Sequence, residues 1–342
     1  MIKKTFLLIA LTVATAVKAI NFDSATGESD DPYLIKNEAD LRELSGRVNE
    51  DREKFENKHF RLEVDIELSG NPWIPIGSGG LSIFFSGTFD GNHKKITNFH
   101  VKSNDAGLFG ATNKATIKNL AIIISAAGVT GDRNAGGLVG RSYGDKITGC
   151  YVSGEGAITT TNDKGKCGGL VGNSNKSTIT SCYATVEVGS DNDSAGGLVG
   201  FVWESEISYS YASGDITGNN ISSGGLMGYS HNTTVSYSYA AGKITGSYRD
   251  TGGLGAENIG GNINNCYFNS DNKGFKTVGE DYGFTSAEGV SRKEMAAKGL
   301  DAMPNLKGGS GKWYSIKNEN DIYYFPSPIS ENDRTDASYK VK

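Results

Sequence analysis

Apolar residues in this chain recur on a long period rather than a helical one. A tetrapeptide at Gly107-Leu108-Phe109-Gly110 returns as Gly-Leu-Val-Gly at 137–140, 169–172 and 197–200. Gly225-Leu226-Met227-Gly228 is a fifth copy, and Gly253-Leu254-Gly255 is a decayed sixth. The motif leucines at 108, 138, 170, 198, 226 and 254 are spaced by 30, 32, 28, 28 and 28 residues. A period of this size marks a stacked repeat protein.

Positions are counted from each motif leucine. At +9 stand Ile117, Ile147, Ile179, Ile207, Val235 and Ile263. At +12 stand Leu120, Cys150, Cys182, Ser210, Ser238 and Cys266, and at +14 Ile122, Val152, Ala184, Ala212, Ala240 and Phe268. Strand alternation puts these last two columns on one face and the +13 residues on the other. Those are Ala121 and then Tyr151, Tyr183, Tyr211, Tyr239 and Tyr267. A further apolar column, Ile158, Val188, Ile216 and Ile244, lies 18 to 20 residues after the leucine. Each period is thus predicted to hold about three short β-segments joined by polar turns, with all length variation after the third. The pattern predicts an all-β solenoid, a parallel β-helix in which one period is one coil. No 3.6-residue apolar pattern fits within a period, and propeller blades need about 40 residues. Six coils rise roughly 25–30 Å.

The glycine pairs before the leucine run from Gly136-Gly137 to Gly252-Gly253, with Ala106-Gly107 in the first copy. They are expected at coil corners, where glycine supplies positive φ and lets backbones approach closely. No helix follows the motif, so a phosphate cradle has no anchor.

Outside the repeat, Asn37 is expected to cap a helix over about Glu38–Val48 with Leu41, Leu44 and Val48 on one face. Phe60–Leu68 alternates like a half-buried strand, and Phe85–Asn92 and Ile96–Phe99 look like further strands. Residues 20–100 are read as a helical cap with irregular first coils, and 101–284 as the regular coils. Ser291-Arg292-Lys293-Glu294 is a capping box opening a helix to about Met303. Residues 285–329 are read as a C-terminal cap and 330–342 as a disordered polar tail.

Residues 1–19 read as a secretory signal peptide. Lys3 and Lys4 precede an apolar stretch too short to span a bilayer, and Val17-Lys18-Ala19 gives a small-residue cleavage pattern, with the cut expected after Ala19. No later run predicts a transmembrane helix. The net charge is −5, and removal of Lys3, Lys4 and Lys18 leaves −8. That balance disfavours a nucleic-acid partner. The four cysteines, Cys150, Cys167, Cys182 and Cys266, lack zinc-site spacing. Cys150, Cys182 and Cys266 share a column with Ser210 and Ser238, and Cys167 aligns with Ala135, Ala195, Ser223 and Thr251. They are expected to be small core thiols, although a Cys150–Cys182 bond is conceivable on spacing.

The run Asp31-Pro32-Tyr33-Leu34-Ile35, the capped helix, the Phe85-Ser-Gly-Thr-Phe-Asp-Gly-Asn92 stretch and the Gly-Leu-apolar-Gly coils together resemble GLUG-repeat proteins. The resemblance covers about residues 31–325. It implies a right-handed parallel β-helix and an adhesin-like, surface-binding role for an exported or cell-surface protein. Some relatives carry a metallopeptidase domain. This chain has no H-E-x-x-H, and its histidines are His59, His93, His100 and His231.

Three function classes remain. A polysaccharide lyase or glycosidase needs clustered carboxylates. Asp90, Asp132, Asp163, Asp191, Asp193 and Asp215 fall mostly in turns and share no column, and no full calcium loop surrounds Asp191 and Asp193. A binding protein is the preferred reading. Tyr209 and Tyr211 lie one coil from Tyr237 and Tyr239, and Tyr151, Tyr183 and Tyr267 extend the column. An outward tyrosine ladder, with Trp203 beside it, is expected to meet an extracellular glycan or protein surface. A purely structural spacer is the third class. No catalytic residue, metal or cofactor is expected.

Overall fold

The computed structural model describes residues 25–189, 194–217, 222–245, 250–308 and 313. The signal segment, Asp191, Asp193, the aromatic run Tyr323–Phe325 and the tail lie outside these residues. Parallel pairing runs in register along the chain. One column passes through Tyr33, Phe60, Phe89, Ile117, Ile147, Ile179, Ile207, Val235, Ile263 and Thr285. The architecture is an all-parallel β-solenoid of about eight coils with about 28 residues per turn. Coils 1 to 6 are numbered here by their motif leucines, and the strand Lys276–Val290 is coil 7.

The motif leucines and the +9 column are fully buried in one continuous core. Each coil holds more than three segments. Coil 4 contains Val199–Trp203, Glu206–Ser208, Tyr211–Ala212, Ile216–Thr217 and, leading into coil 5, Ser222–Gly224. Two left-handed residues per coil make the breaks. At +6 these are Lys114, Lys176, Glu204 and Asn232, with φ of 46–57°, and Gly144 and Gly260. At +11 they are Asn119, Ser181, Tyr209, Tyr237 and Asn265, with φ of 49–55°, and Gly149. One left-handed residue turns a strand sharply without a loop, at a steric cost to any side chain other than glycine.

The motif glycines are not these corners. Gly169, Gly197 and Gly225 have no left-handed φ. Their need is for space alone. A Cβ at these sites would meet the carbonyl oxygen of the equivalent glycine in the next coil. It would also come within 2.5–2.7 Å of the Cβ of Ala184, Ala212 or Ala240 across the interior. The motif glycine and the +14 alanine therefore select one another.

Each corner needs its backbone groups satisfied without water. The residue after the corner does this. At +12, Ser210 and Ser238 donate to the carbonyls of Ser208 and Ser236 at 2.8 Å each. Cys182 and Cys266 do the same through Sγ to Thr180 and Asn264, at 3.3 and 3.1 Å. The serine hydroxyls also receive backbone N–H groups from the preceding coil, Cys182 to Ser210 and Ser210 to Ser238, at 3.1 and 3.2 Å. Cys150, Cys182 and Cys266 are thus corner donors as well as core fillers, and they and Cys167 are free and buried. Burial pushes the Cys150 and Cys167 thiols far up and that of Cys266 to about 12.

At +7, Ser177, Ser205 and Thr233 play the same part across the other corner. Coil 2 carries Asp145 there instead, 1% exposed. Its carboxylate accepts from Thr112 and Ser142 hydroxyls at 2.5 Å each and from the Ala115 N–H at 2.8 Å. Burial outweighs these bonds and raises its pKa to about 6.

The helix α1, Glu38–Asn49, forms as expected. Asn37 Oδ1 accepts from Asp40 N at 3.0 Å, and Leu41, Leu44 and Val48 are fully buried in the core cluster. The expected strand Phe60–Leu68 is instead two strands, His59–Leu62 and Ile66–Glu67, because a coil corner falls between them. At the other end, Ser291 Oγ accepts from Glu294 N at 3.1 Å and opens α2, Arg292–Lys298. This helix stops at Gly299, φ 54°, and two 3₁₀ turns carry the chain onward to Gly308.

Two predictions arise from the corners and the interior. Gly197→Ala should lower unfolding free energy by about 3 kcal/mol through overpacking. Lys176→Gly should raise it by about 0.5–1 kcal/mol, because relief of the left-handed strain exceeds glycine's entropy loss; urea unfolding of both variants measures this. For Asp145 the folded pKa lies above the unfolded value. Its protonated form therefore stabilises the fold at low pH, and that contribution is lost as pH rises through about 6. A shift of this size corresponds to roughly 3 kcal/mol. The stability difference between wild type and Asp145→Asn should change by that order between pH 4 and 8.

Candidate functional site

The +13 tyrosines do point away from the solenoid interior, but they are not exposed. Tyr151 is 3% exposed, and Tyr183, Tyr211, Tyr239 and Tyr267 are 0% exposed. Tyr151, Tyr183, Tyr211 and Tyr239 stack at centroid spacings of 4.6–4.8 Å. A second apolar cluster covers them, built from Met295, Met303 and Leu306 with Trp313 packed against it. Trp313 lies 5.5 Å from the Tyr239 ring, and the Asn305 N–H donates to Tyr267 Oη at 3.0 Å. Alternation gives the direction of a side chain but not what lies over it. The expectation of an open tyrosine face is therefore corrected for these five residues. Tyr209 and Tyr237 stack at 5.1 Å on their left-handed corner and are half-buried.

An outward-facing, half-buried aromatic surface lies on the first strand after the motif. Its +3 and +5 side chains point outward. In coils 4 and 5 these are Phe201 and Trp203, then Tyr229 and His231, in direct register. Phe201 and Tyr229 stack at 4.9 Å and 2°, and Trp203 and His231 at 3.9 Å and 6°. Phe201 and Trp203 are 6.4 Å apart along their strand, so the four rings form one block. Trp203 Nε1 donates to Glu204 Oε1 at 2.9 Å, which holds that carboxylate below its ordinary range, and Lys176 adds to this at 3.4 Å. The Lys166 ammonium sits 5.1 Å from the Phe201 centroid. Trp203 is legible in the sequence beside the tyrosine columns. The stack itself is not, because it needs the +3 and +5 columns to be read across coils.

The charges flanking this block are ordered. In coil 2 the same positions hold Arg141 and Tyr143. In coils 6 and 7 they hold Glu257 and Ile259, then Glu280 and Tyr282. Tyr143 is 42% and Tyr282 67% exposed. Partial burial, with Glu280 and Asp250 nearby, raises the Glu257 carboxyl above its ordinary range. Tyr282 donates to Glu280 Oε2 at 3.2 Å, and that carboxylate raises the phenol. Arg141 and Lys166 thus lie on one side of the rings, and Glu257, Asp250 and Glu280 on the other.

The candidate catalytic acids are spread out and held by structural partners. Asp90 accepts from Asn92 N and pairs with Lys118 at 3.1 Å, Asp132 accepts from Thr161, and Asp215 pairs with Arg292 at 3.0 Å. Among the described residues, no group of three or more His, Cys, Asp or Glu is placed to hold a metal ion. No described helix is long and apolar enough to cross a membrane.

Comparison with known proteins agrees with the repeat register. The family model described as "The GLUG motif" matches residues 131–159 and 191–217, so these coils are GLUG repeats. Halomucin of Haloquadratum walsbyi is 36% identical over 149 residues, covering 40% of this chain and 2% of that protein. A "Putative Gly-rich membrane protein" of Evansella cellulosilytica is 31% identical over 134 residues, covering 36% of this chain and 15% of that protein. The chain therefore spans only a small share of these curated relatives. Among solved structures, a "putative immunoglobulin A1 protease" from Bacteroides ovatus superposes with a TM-score of 0.62 at 21% identity, over 90% of this chain and 94% of that one. That likeness is one of fold.

The covering of the tyrosine ladder is testable. Met295→Asp with Met303→Asp should undock the C-terminal segment, which brings up dye binding to exposed apolar surface and shifts Trp313 emission to the red. Unchanged dye binding and emission would place the segment elsewhere.

Proposed function

We propose that this chain is an exported, non-catalytic GLUG-repeat solenoid that works as a surface adhesion or binding protein. Export is by the signal segment 1–19 with cleavage after Ala19. In the same reading, residues 20–100 and 285–329 serve as caps around the coils. The observation that carries the reading is the block Phe201, Trp203, Tyr229 and His231 on an outward strand face, flanked by charge. Aromatic and arginine side chains dominate binding energy in protein interfaces. An outward aromatic block has no part in the core, which runs on the opposite side of the strand.

Ring geometry favours a protein surface over a glycan at this block. A sugar packs its C–H face on an open ring face. Here the ring faces are turned toward one another along the coil axis, at 2–6°, and their edges face outward. Ring edges carry partial positive charge and suit carbonyl and carboxylate oxygens.

The reading is tested by binding of the mature chain, residue 20 onward, to immobilised extracellular matrix proteins and polysaccharides. Trp203→Ala with Tyr229→Ala should weaken protein binding by about thirtyfold or more, the size of one hot-spot loss. Equal binding by wild type and this variant would sink the proposal, as would release of sugar or peptide products from any of the probes.

A further inference from the structure

We infer that the partner for this face is a second copy of the chain, docked face to face and antiparallel about a two-fold axis; this rests on the binding reading above. The order of side chains along the face carries the inference. The four rings occupy coils 4 and 5, so the centre of the block lies between them. Counted from that centre, Arg141 in coil 2 is as far away as Glu280 in coil 7. Lys166, which leads into coil 3, is as far away as Asp250, which leads into coil 6 beside Glu257. Tyr143 and Tyr282, both exposed, are likewise equidistant.

A two-fold axis lying in the plane of the face, along the strand direction and through that centre, exchanges coil 2 with 7, 3 with 6 and 4 with 5. It keeps strand direction, so +3 positions meet +3 positions and +5 positions meet +5 positions. Arg141 of one copy then falls on Glu280 of the second copy, and Tyr143 on Tyr282. Lys166 falls toward Glu257 and Asp250 of the second copy. Phe201 meets Tyr229 and Trp203 meets His231, a contact that buries apolar ring surface while the flanking ion pairs set the orientation. Every charge contact occurs twice, as an isologous interface requires. A parallel arrangement would instead place like charges together. A foreign partner would not need cations and carboxylates at matched distances on either side of the rings.

The area bounds the strength. From coil 2 to coil 7 is about 24 Å, and a five-residue strand is about 17 Å wide. Two such patches bury roughly 800–1,000 Å², at the low end for specific association. The dimer is therefore weak in dilute solution and strengthens where copies are held close together.

Sedimentation equilibrium of the mature chain over roughly 1–500 µM, the range such an interface demands, tests this. Wild type should show a reversible monomer–dimer equilibrium that weakens in high salt. Arg141→Glu and Glu280→Arg should each weaken dimerisation at least tenfold, since each places two like-charge contacts at the interface. The double variant should recover to near wild type, and an equimolar mixture of the two single variants should form one contact of each native and swapped kind. Both residues are exposed, so unchanged thermal melting is expected and guards against misfolding. A monomeric wild type at all concentrations, or a double variant that stays monomeric, overturns the inference. A monomeric wild type whose Trp203→Ala form still loses binding to a matrix protein overturns the second copy while leaving the binding face standing.

Discussion

The parallel ladder between coils constrains everything else in this molecule. Backbone pairing holds each residue one strand spacing from its equivalent in the coils on either side. Each side chain therefore packs mainly against versions of itself. This turns the fold into a set of columns, and each column is selected as a unit. Leucine and isoleucine columns fill the interior. A glycine column clears room for an alanine column across it. Hydroxyl and thiol columns close the corners. A departure in one column is matched across the same coil: where Val152 and Phe268 replace the alanine, they fill the space a Cβ at Gly137 or Gly253 would need.

The corners show how the ladder tolerates polar groups inside. A left-handed residue turns the chain in one step, and the next side chain bonds back over the turn. Serine, threonine and cysteine all fit, because each offers one short donor and little bulk. Asp145 fits the space but not the dielectric, since as a carboxylate it only accepts and carries charge. Its neighbours Thr112 and Ser142 turn their hydroxyls toward it, which reduces but does not cancel the cost of burial. At the other corner, the left-handed Tyr209 and Tyr237 hold their strained backbone alongside a stacked pair of rings.

The period of the motif leucines and the unbroken +9 column made the solenoid readable before any coordinates, since both report the same coil length. Helix α1 was readable from Asn37 and three spaced apolar residues. Other features were not, for definite reasons. Left-handed corners are held by Lys176, Glu204 and Tyr209 as well as by glycine and asparagine, so composition does not mark them. The motif glycines were credited with positive φ and with close backbone approach; only the close approach holds. The tyrosine column was correctly aimed outward, but its cover comes from residues more than fifty positions later than most of its members. The ring block at Phe201 and Tyr229 becomes visible only when outward columns are read along the coil axis.

The C-terminal segment has a mechanical consequence. Stacked coils tend to fray singly from an end, because each is held only by its neighbours. Here Arg292 reaches Asp215 of coil 4, Asn305 reaches Tyr267 of coil 6, and Trp313 lies over Tyr211 and Tyr239 between them. The segment therefore lies across several layers like a batten nailed to a stack of boards. The last layer cannot peel away until the batten lifts, and lifting it loosens three layers at once. Gradual unravelling from that end is replaced by one cooperative release, a threshold rather than a slope.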